Sequence, residues 1–353
     1  MKIIDVKHAT DSYSIYIKNG LLSEISQMIT PIYTGKKIVI ITDETVENLY
    51  GASLQKILSD DFHINFITIK SGEESKHIKN IPQIYSQMLA ANISRNDLLI
   101  AFGGGVVGDL AGFIAATYLR GIKFIQIPTT LLAQVDSSVG GKVAVNLDEG
   151  KNLVGAFYNP VAVFIDTHLL HSLTDITFSE GMAEVIKYAC ILDSHFFEIL
   201  TQLKTRANTM QIIDEIVETC CNHKRNVVIQ DPLDNGRRLL LNFGHTLAHA
   251  IETIEKIPHG LAVAIGMYQT SLLSENQSLT KKGTTKKLKI LLLQHGLPTE
   301  FSSINKMAYE KAMQHDKKNS SSILKEIILN EIGDSYIFET TSDFYINLFT
   351  KNH

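Results

Sequence analysis

The chain has 353 residues, of which 44% are hydrophobic and 20% charged, with a formal net charge of −4; this excludes a disordered or fibrous chain and leaves room for two cores. The charge argues against a broad basic surface for nucleic acid, although a local basic pocket could still hold a small anion. Three cysteines without a CxxC step, an N-terminus without a continuous apolar stretch, and no apolar run of the roughly 18 residues a membrane helix needs point to a reduced, cytoplasmic protein without a membrane partner.

In chain order, SYSIYI alternates with period two and predicts an added hairpin near the start. KKIVIIT (36–42), HINFITI (63–69), DLLIAF (97–102), IKFIQIP (122–128) and VAVFID (161–166) read as buried strands. ENLYGASLQKILS and IPQIYSQMLAAN between them have helical spacing. The pattern is that of an α/β domain on a mostly parallel sheet, residues 1–166. From 167 the apolar period becomes three to four, as in FSEGMAEVIKYACILDSHFFEILTQL, MQIIDEIVETCCNHKRNVV and LAHAIETIEK. Residues 167–353 are therefore expected to form an all-α C-terminal domain, interrupted by the turn-rich DPLDNGRR.

Four stretches could carry chemistry. Gly103, Gly105 and Gly108 after the DLLIAF strand satisfy G-x-G-x-x-G, so bare backbone N–H groups at a helix N-terminus could approach a pyrophosphate. A glycine turn that merely packs helix on strand would read the same way. No acidic residue lies about 20 positions onward for a ribose, and Asp43 at the end of an earlier strand is the substitute. PTTLLAQVDSSVGGKVAVNLDEGKN (128–152) gathers Thr129, Thr130, Asp136, Lys142, Lys151 and Asn152, and reads as a loop, solvated or held against an anion. It is not a P-loop, because Val143 stands where the magnesium-binding Ser or Thr would be. GMAEVIKY sets Glu184 and Lys187 three apart on one helical face, the spacing of an intrahelical ion pair. In LNFGHTLAHAIE, His245 and His249 stand four apart like the metal pair of H-E-x-x-H, but Thr246 replaces the glutamate and packing histidines share this spacing. With His259, Lys224, Arg238 and Asn242 close in sequence, a carboxylate and histidines from separate helices could supply the three ligands of a catalytic zinc site, with cations nearby for an anion.

Taken together, GGGVVGDLAGFIAATYLRGI, IPTTLLAQVDSSVGGKVAVN, GKNLVGAFYNP, GMAEVIKY, RRLLLNFGHTLAHAIE and HGLAVAIGM resemble the 3-dehydroquinate synthase family over roughly residues 36–325. The resemblance implies an N-terminal NAD-binding domain, a helical C-terminal domain, a homodimer, and a divalent metal, zinc with cobalt as the alternative. It implies that Glu184, His245 and His259 hold the metal while His249 contacts substrate. The cofactor pocket implied comprises Asp43, Ser71, Gly72, Glu73, Glu74, Ser75, Lys76, Gly105, Val106, Val107, Gly108, Asp109, Thr129, Thr130, Lys142, Lys151, Leu169, Leu170, His171 and Ser172. Substrate would meet Asp136, Lys142, Asn152, Lys187, Lys224, Arg238, Asn242 and His249, with Arg120 reaching the phosphate of the neighbouring subunit.

The reaction implied is conversion of 3-deoxy-D-arabino-heptulosonate 7-phosphate to 3-dehydroquinate and phosphate, in the shikimate pathway to chorismate and the aromatic amino acids. The chain departs from the family pattern at LTDIT (173–177), at Ala248 in place of a glycine, and at Ser322 after Lys317 and Lys318. Alternatives are another sugar phosphate cyclase, a metal-dependent polyol dehydrogenase, and a nucleotide-binding regulator without catalysis. The dehydrogenase gives no reason for an anion clamp of Lys142, Asn152, Lys224 and Arg238, and the regulator none for three intact ligand positions.

Overall fold

The β-branched runs become strands, buried on both faces except for HINFITI, an edge strand of which only Ile67 is fully buried. The structure is a computed structural model and describes residues 1–7, 12–301, 323–345 and 348. Packing divides the chain into a first unit, Met1–Leu173 with Asp214–Leu233, and a second, Thr174–Ile213 with Asp234–His353. The chain thus passes between the units more than once.

The strands of the first unit are β1 (Lys2–Lys7), β2 (Ser12–Ile17), β3 (Lys37–Asp43), β4 (His63–Ile69), β5 (Leu98–Gly103), β6 (Lys123–Pro128), β7 (Lys142–Leu147), β8 (Gly150–Phe157) and β9 (Ala162–Ile165). Seven of them form one sheet in the order β1-β2-β9-β6-β5-β3-β4. Only β1 with β2 is antiparallel, which is the expected hairpin. Along β3, Ile38 and Ile40 join Leu54 and Leu58 in one core, whereas Val39 and Ile41 join Ile84 and Met88 in the other. Period-two alternation between two cores leaves no place for a polar residue, hence the unbroken apolar text.

The helix Ala52–Leu58 between β3 and β4 packs on the first of these faces, and the helices Ile81–Ala90 and Gly105–Thr117 pack on the second. Right-handed crossovers place helices on opposite faces when the direction of travel across the sheet reverses. The reversal here lies at β3 and β5, and a crevice at the carboxyl ends of such strands is where nucleotides bind in folds of this kind.

The stretch at 128–152, read as a loop, is ordered differently. Ala133–Ser137 makes a π-helical turn, and β7 and β8 pair antiparallel, so Lys142, Lys151 and Asn152 stand on a hairpin. Gly140 and Gly141, with φ of 94° and 66°, make the left-handed entry to β7 that side-chain-bearing residues resist.

In the second unit the helix Asp175–Leu192 starts at Thr174, whose side chain accepts from Thr177 N. From Gly181 to Ile191 it is buried on every side, as its nearly unbroken apolar text requires. Helices His245–Glu255 and His259–Asn276 pack on each other, and the latter also packs on Asp175–Leu192. The expectation of an all-α second half needs correction: β10 (Leu324–Glu331) and β11 (Asp334–Thr340) form an antiparallel hairpin. Their apolar, β-branched text EIILNEIGDSYIF satisfies its backbone by strand pairing, turning at Gly333 with φ 89°. Lys317, Lys318 and Ser322 lie outside the described residues.

Candidate functional site

Two glycines place the histidines of the second unit. Gly244, with φ 77°, caps the helix that begins at His245, and a Cβ on it would stand 2.5 Å from Met267 N. A Cβ on Gly266 would stand 2.0 Å from Gly244 O. The two helices therefore approach at backbone distance, which brings His245, the first residue of one, beside His259, the first residue of the other. Their ring centroids are 5.4 Å apart.

Glu184 meets them from the middle of its own helix. Its Oε1 lies 3.8 Å from His245 Nε2 and 3.7 Å from His259 Nε2. One ligand atom from each of the three lies within 4.8 Å of the others. One carboxylate oxygen and two imidazole nitrogens are the donors of a catalytic zinc-type site, and ligands at about 2.0–2.2 Å in tetrahedral array stand roughly 3.3–3.6 Å apart. The two distances from Glu184 come within a few tenths of an ångström of that spacing, so the donor set fits a small divalent ion. His249 is exposed, one turn along, and outside the set; its ring centroid is 5.9 Å from that of His245.

The orientation of each histidine is fixed from behind. His245 Nδ1 lies 3.1 Å from Phe243 O, and His259 Nδ1 lies 3.2 Å from Glu252 Oε2. With those nitrogens donating, each Nε2 is left as the lone pair facing Glu184. Burial, with Lys187, His259 and His249 nearby, pushes His245 well below the ordinary histidine range and keeps it neutral, the ligating form. For His259 burial pulls downward, but the Glu252 hydrogen bond and the Glu184 charge outweigh it and raise the value. Glu252 is a functional residue that the sequence reading missed, although its place on the same helical face as His245 and His249 was a usable signal.

Lys187 pairs with Glu184, both side chains being 1% exposed, so the ion pair suggested by their spacing is present within the ligand set. Arg238 is buried and Asn242 half-buried, both on the 3-10 turn Arg237–Asn242.

In the first unit, Asp43 ends β3 and Gly103 ends β5, the two strands that flank the crevice. Asp43 Oδ1 accepts from Thr45 N at 2.9 Å, Val46 N at 3.1 Å and Ser71 Oγ at 2.9 Å, a capping role that the sequence reading did not foresee. The segment Ser71–Lys76 is thereby tied to β3 at one end. At the other, buried Lys76 reaches Asp109 Oδ2 at 2.5 Å and Asn152 Oδ1 at 2.5 Å. Asn152 adopts φ 57°, and its N donates to Asn146 Oδ1 at 2.9 Å, while Asn146 donates to Glu73 Oε1 at 2.7 Å. Burial raises the Asp109 carboxyl although Lys76 opposes it.

Gly105 opens the helix that carries Val106, Val107, Gly108 and Asp109. A Cβ on Gly103 would meet Val107 Cβ at 2.6 Å, so packing alone calls for glycine there. Thr129 is buried and Thr130 half-buried beyond β6, with Thr129 N donating to Gly103 O at 3.0 Å. Asp136 pairs with Lys224 of the helix Ile213–Gln230, whose Nζ also donates to Asp136 O at 2.7 Å. Lys142 and Lys151 are exposed. Leu169 and Leu170 are core side chains, so only their backbone is available to a ligand, whereas His171 and Ser172 are exposed. Arg120 is exposed on a turn where Leu119 and Arg120 take φ of 51° and 67° in succession. The Arg95 Nη2 group holds that turn by donating to Leu119 O at 2.6 Å.

The 3-dehydroquinate synthase N-terminal family model matches residues 66–180, and the 3-dehydroquinate synthase C-terminal model matches 181–319. The chain is 47% identical over 347 residues to the 3-dehydroquinate synthase of Clostridium botulinum (strain Alaska E43 / Type E3), covering 97% of this chain and 99% of that one. Among solved structures, 2-deoxy-scyllo-inosose synthase complexed with carbaglucose-6-phosphate, NAD+ and Co2+ superposes with a TM-score of 0.89 at 25% identity, covering 99% of both chains. The 2-epi-5-epi-valiolone synthase of Streptomyces hygroscopicus subsp. jinggangensis 5008, with NAD+ and Zn2+ bound, shares the fold with a TM-score of 0.88 at 23% identity and 96% coverage of each chain.

Proposed function

The chain belongs to the 3-dehydroquinate synthase family, and from that premise we propose how its residues divide the work of converting 3-deoxy-D-arabino-heptulosonate 7-phosphate to 3-dehydroquinate and phosphate in the shikimate pathway. It is an NAD- and metal-dependent lyase. The observation that carries the assignment of the centre is the meeting of Glu184, His245 and His259 from three helices, with Lys187 paired to the carboxylate.

When bound, NAD would supply a reversible hydride acceptor, and the divalent ion, zinc or cobalt, would supply a Lewis acid. The residues around them bind and orient. Glu184, His245 and His259 hold the metal; His249, exposed beside them, is available to a substrate oxygen. In the second unit Lys187, Arg238 and Asn242 contribute cationic and amide donors for a carboxylate or phosphate. In the first unit Asp136, Lys142, Asn152 and Lys224 are the proposed substrate groups. The crevice at Asp43, Ser71–Lys76, Gly105–Asp109, Thr129, Thr130, Lys142, Lys151 and the Leu169–Ser172 turn takes the cofactor. Residues 1–166 are thus proposed as the NAD-binding part and 167–353 as the metal- and substrate-binding part, with Lys224 supplied by a helix that packs in the first unit. Holding one flexible anion in a reactive shape is the main service the chain renders.

A homodimer in the cytoplasm completes the reading, with Arg120 serving the partner's site. It is supported by the exposed, left-handed turn that carries Arg120 and by three buried free cysteines. Mixing inactive Arg120→Ala and Lys187→Ala proteins should restore activity through hybrid dimers; no recovery despite proven exchange would place Arg120 in its own subunit's service. The test of the reaction is incubation with the heptulosonate phosphate, catalytic NAD and zinc. Phosphate and 3-dehydroquinate should form together over many turnovers without net NADH. NADH formed mole for mole with substrate loss would point instead to a dehydrogenase, and a different cyclic product by mass to another sugar phosphate cyclase.

A further inference from the structure

The β7–β8 hairpin breaks its register at one place. Val145 pairs with Val154 and Leu147 with Gly150, so a single residue of β7, Asn146, stands against Lys151, Asn152 and Leu153 of β8. The surplus residues bulge, and there a side chain takes over from the ladder. Asn152 sits in the bulge with φ 57°, a left-handed conformation that a side-chain-bearing residue adopts at a cost. Its N–H donates to Asn146 Oδ1 at 2.9 Å.

Asn146 is buried and uses both halves of its amide. While Oδ1 holds Asn152, Nδ2 donates to Glu73 Oε1 at 2.7 Å. Turning the amide over would set donor against donor and acceptor against acceptor, so its orientation is fixed. The backbone of Asn146 also forms an isolated parallel bridge with His77. Asn146 thus meets the segment Ser71–Lys76 at Glu73 and again one residue past its end. Lys76 closes the ring, its Nζ reaching both Asn152 Oδ1 and Asp109 Oδ2. Glu73, Lys76, Asp109 and Asn152 all have parts in the proposed binding of cofactor or substrate, and the one residue that joins them without such a part is Asn146. Leucine in its place would spare the desolvation of an amide but offer neither bond, and aspartate would keep the acceptor while setting a second carboxylate against Glu73.

We propose that Asn146 is a positioning residue of the first unit: its amide holds Asn152 in the left-handed conformation and ties it to Glu73, so that a substrate group and the cofactor segment keep one arrangement. The inference rests on reading Asn152 as a substrate group and Ser71–Lys76 as cofactor groups. Two groups held by one amide lose their order together when it is cut. They can also be separated, because each depends on a different half of that amide.

The experiment is steady-state kinetics of the full chain with zinc, NAD and the heptulosonate phosphate, together with calorimetric NAD titration and Tm on the same samples. Asn146→Ala removes both bonds and should lower kcat/KM about 10–100-fold, mainly as a higher KM, and weaken NAD about 3–10-fold. Asn146→Asp keeps the acceptor for Asn152 N, so its KM should stay within about threefold of the parent while NAD weakens about 10-fold. Adding Glu73→Gln to Asn146→Asp turns the clash back into a donor–acceptor pair, so the double variant should bind NAD no more weakly than Glu73→Gln alone. A folded Asn146→Ala with the parent's KM and NAD affinity overturns the inference, even if its Tm falls, because the amide would then serve stability only. Additive NAD losses in the double variant overturn it too. If Asn146→Ala does not fold, Asn146→Asp with and without Glu73→Gln decides by the same readouts. Asn152→Ala with the parent's KM would instead sink the reading of Asn152 as a substrate group, on which the inference rests.

Discussion

The proposed nucleotide crevice of the first unit and the proposed metal centre of the second are built by different means. The crevice is largely contiguous text: one strand, three glycines and the helix that follows, with Asp43 and Ser71–Lys76 tied in by short side-chain bonds to backbone and neighbouring loops. The metal centre takes one side chain from each of three helices, and no two of its ligands belong to one local motif. A locally coded site survives if its own segment keeps its shape. A site assembled by packing depends on how closely the helices approach, so its weak points include residues that touch no ligand.

The largest expected effects test the membership of the assembled site. Glu184→Ala, His245→Ala and His259→Ala should each abolish stoichiometric metal binding, with activity down by about 10³ or more. His249→Ala should keep the metal while losing most activity. Metal analysis of the four purified proteins checks this; metal loss in His249→Ala equal to the others would make the HxxxH pair a chelate and the centre partly local after all.

Next come the glycines. An added Cβ at Gly244 meets Met267 backbone at 2.5 Å and must also accept φ 77°, whereas one at Gly103 meets only the Val107 side chain, at 2.6 Å. Gly244→Ala should therefore cost about 3 kcal/mol in denaturant unfolding and weaken metal binding, and Gly103→Ala about 1 kcal/mol with the loss confined to NAD affinity. Equal penalties, or metal loss in Gly103→Ala, would erase the distinction between local and packed construction.

What could be read from sequence follows the same division. The strands around IVII, LLIAF and FIQI were legible because burial on both faces leaves only apolar residues, and GGGVVGD because backbone geometry demands glycine. Glu184, His245 and His259 were legible only through resemblance, since HTLAH alone fits a packing helix equally well. The β7–β8 hairpin was read as a loop because its glycines and lysines resemble turn text. β10–β11 was absorbed into a helical half although EIILNEIGDSYIF carries strand residues about a turn. The Lys76–Asp109–Asn152 contacts could not be seen, because they join residues that only tertiary packing brings together, whereas Glu252 shares a helical face with His245 and His249 and was legible in principle.

A tenfold effect is expected one step out from the ligands. Glu252→Gln keeps size and an acceptor oxygen but removes the charge that orients His259, so zinc affinity should fall roughly 10-fold, with NAD affinity untouched. Lys76→Met should do the converse, lowering NAD affinity as Asp109 and Asn152 lose their shared donor, with zinc unaffected. Chelator competition and NAD titration on both variants resolve the pair. Cross-effects of equal size would mean that the two centres respond as one.

The smallest expected effect, a few degrees in Tm, separates the regions by pH. Each holds a buried acid that burial raises: Asp109, opposed by Lys76, and Glu326 on β10. A raised folded-state pKa means that the native chain holds the proton more tightly than the unfolded one. The stabilising contribution is complete below the unfolded value and is lost as pH rises through the folded one. For Glu326 that window runs from 4.5 to about 7, and the whole term is on the order of 3 kcal/mol. Glu326→Gln cannot ionise, so it should match the parent near about pH 4.5 and exceed its Tm by a few degrees at about pH 8. Asp109→Asn likewise cannot ionise, but it also takes the charge partner from buried Lys76, so its gain at about pH 8 should be smaller. Calorimetric scans across that range decide the matter. A Glu326→Gln that loses Tm at alkaline pH would mean that the carboxylate is the form the second unit stabilises, and Asp109 alone would then follow the cost of burial.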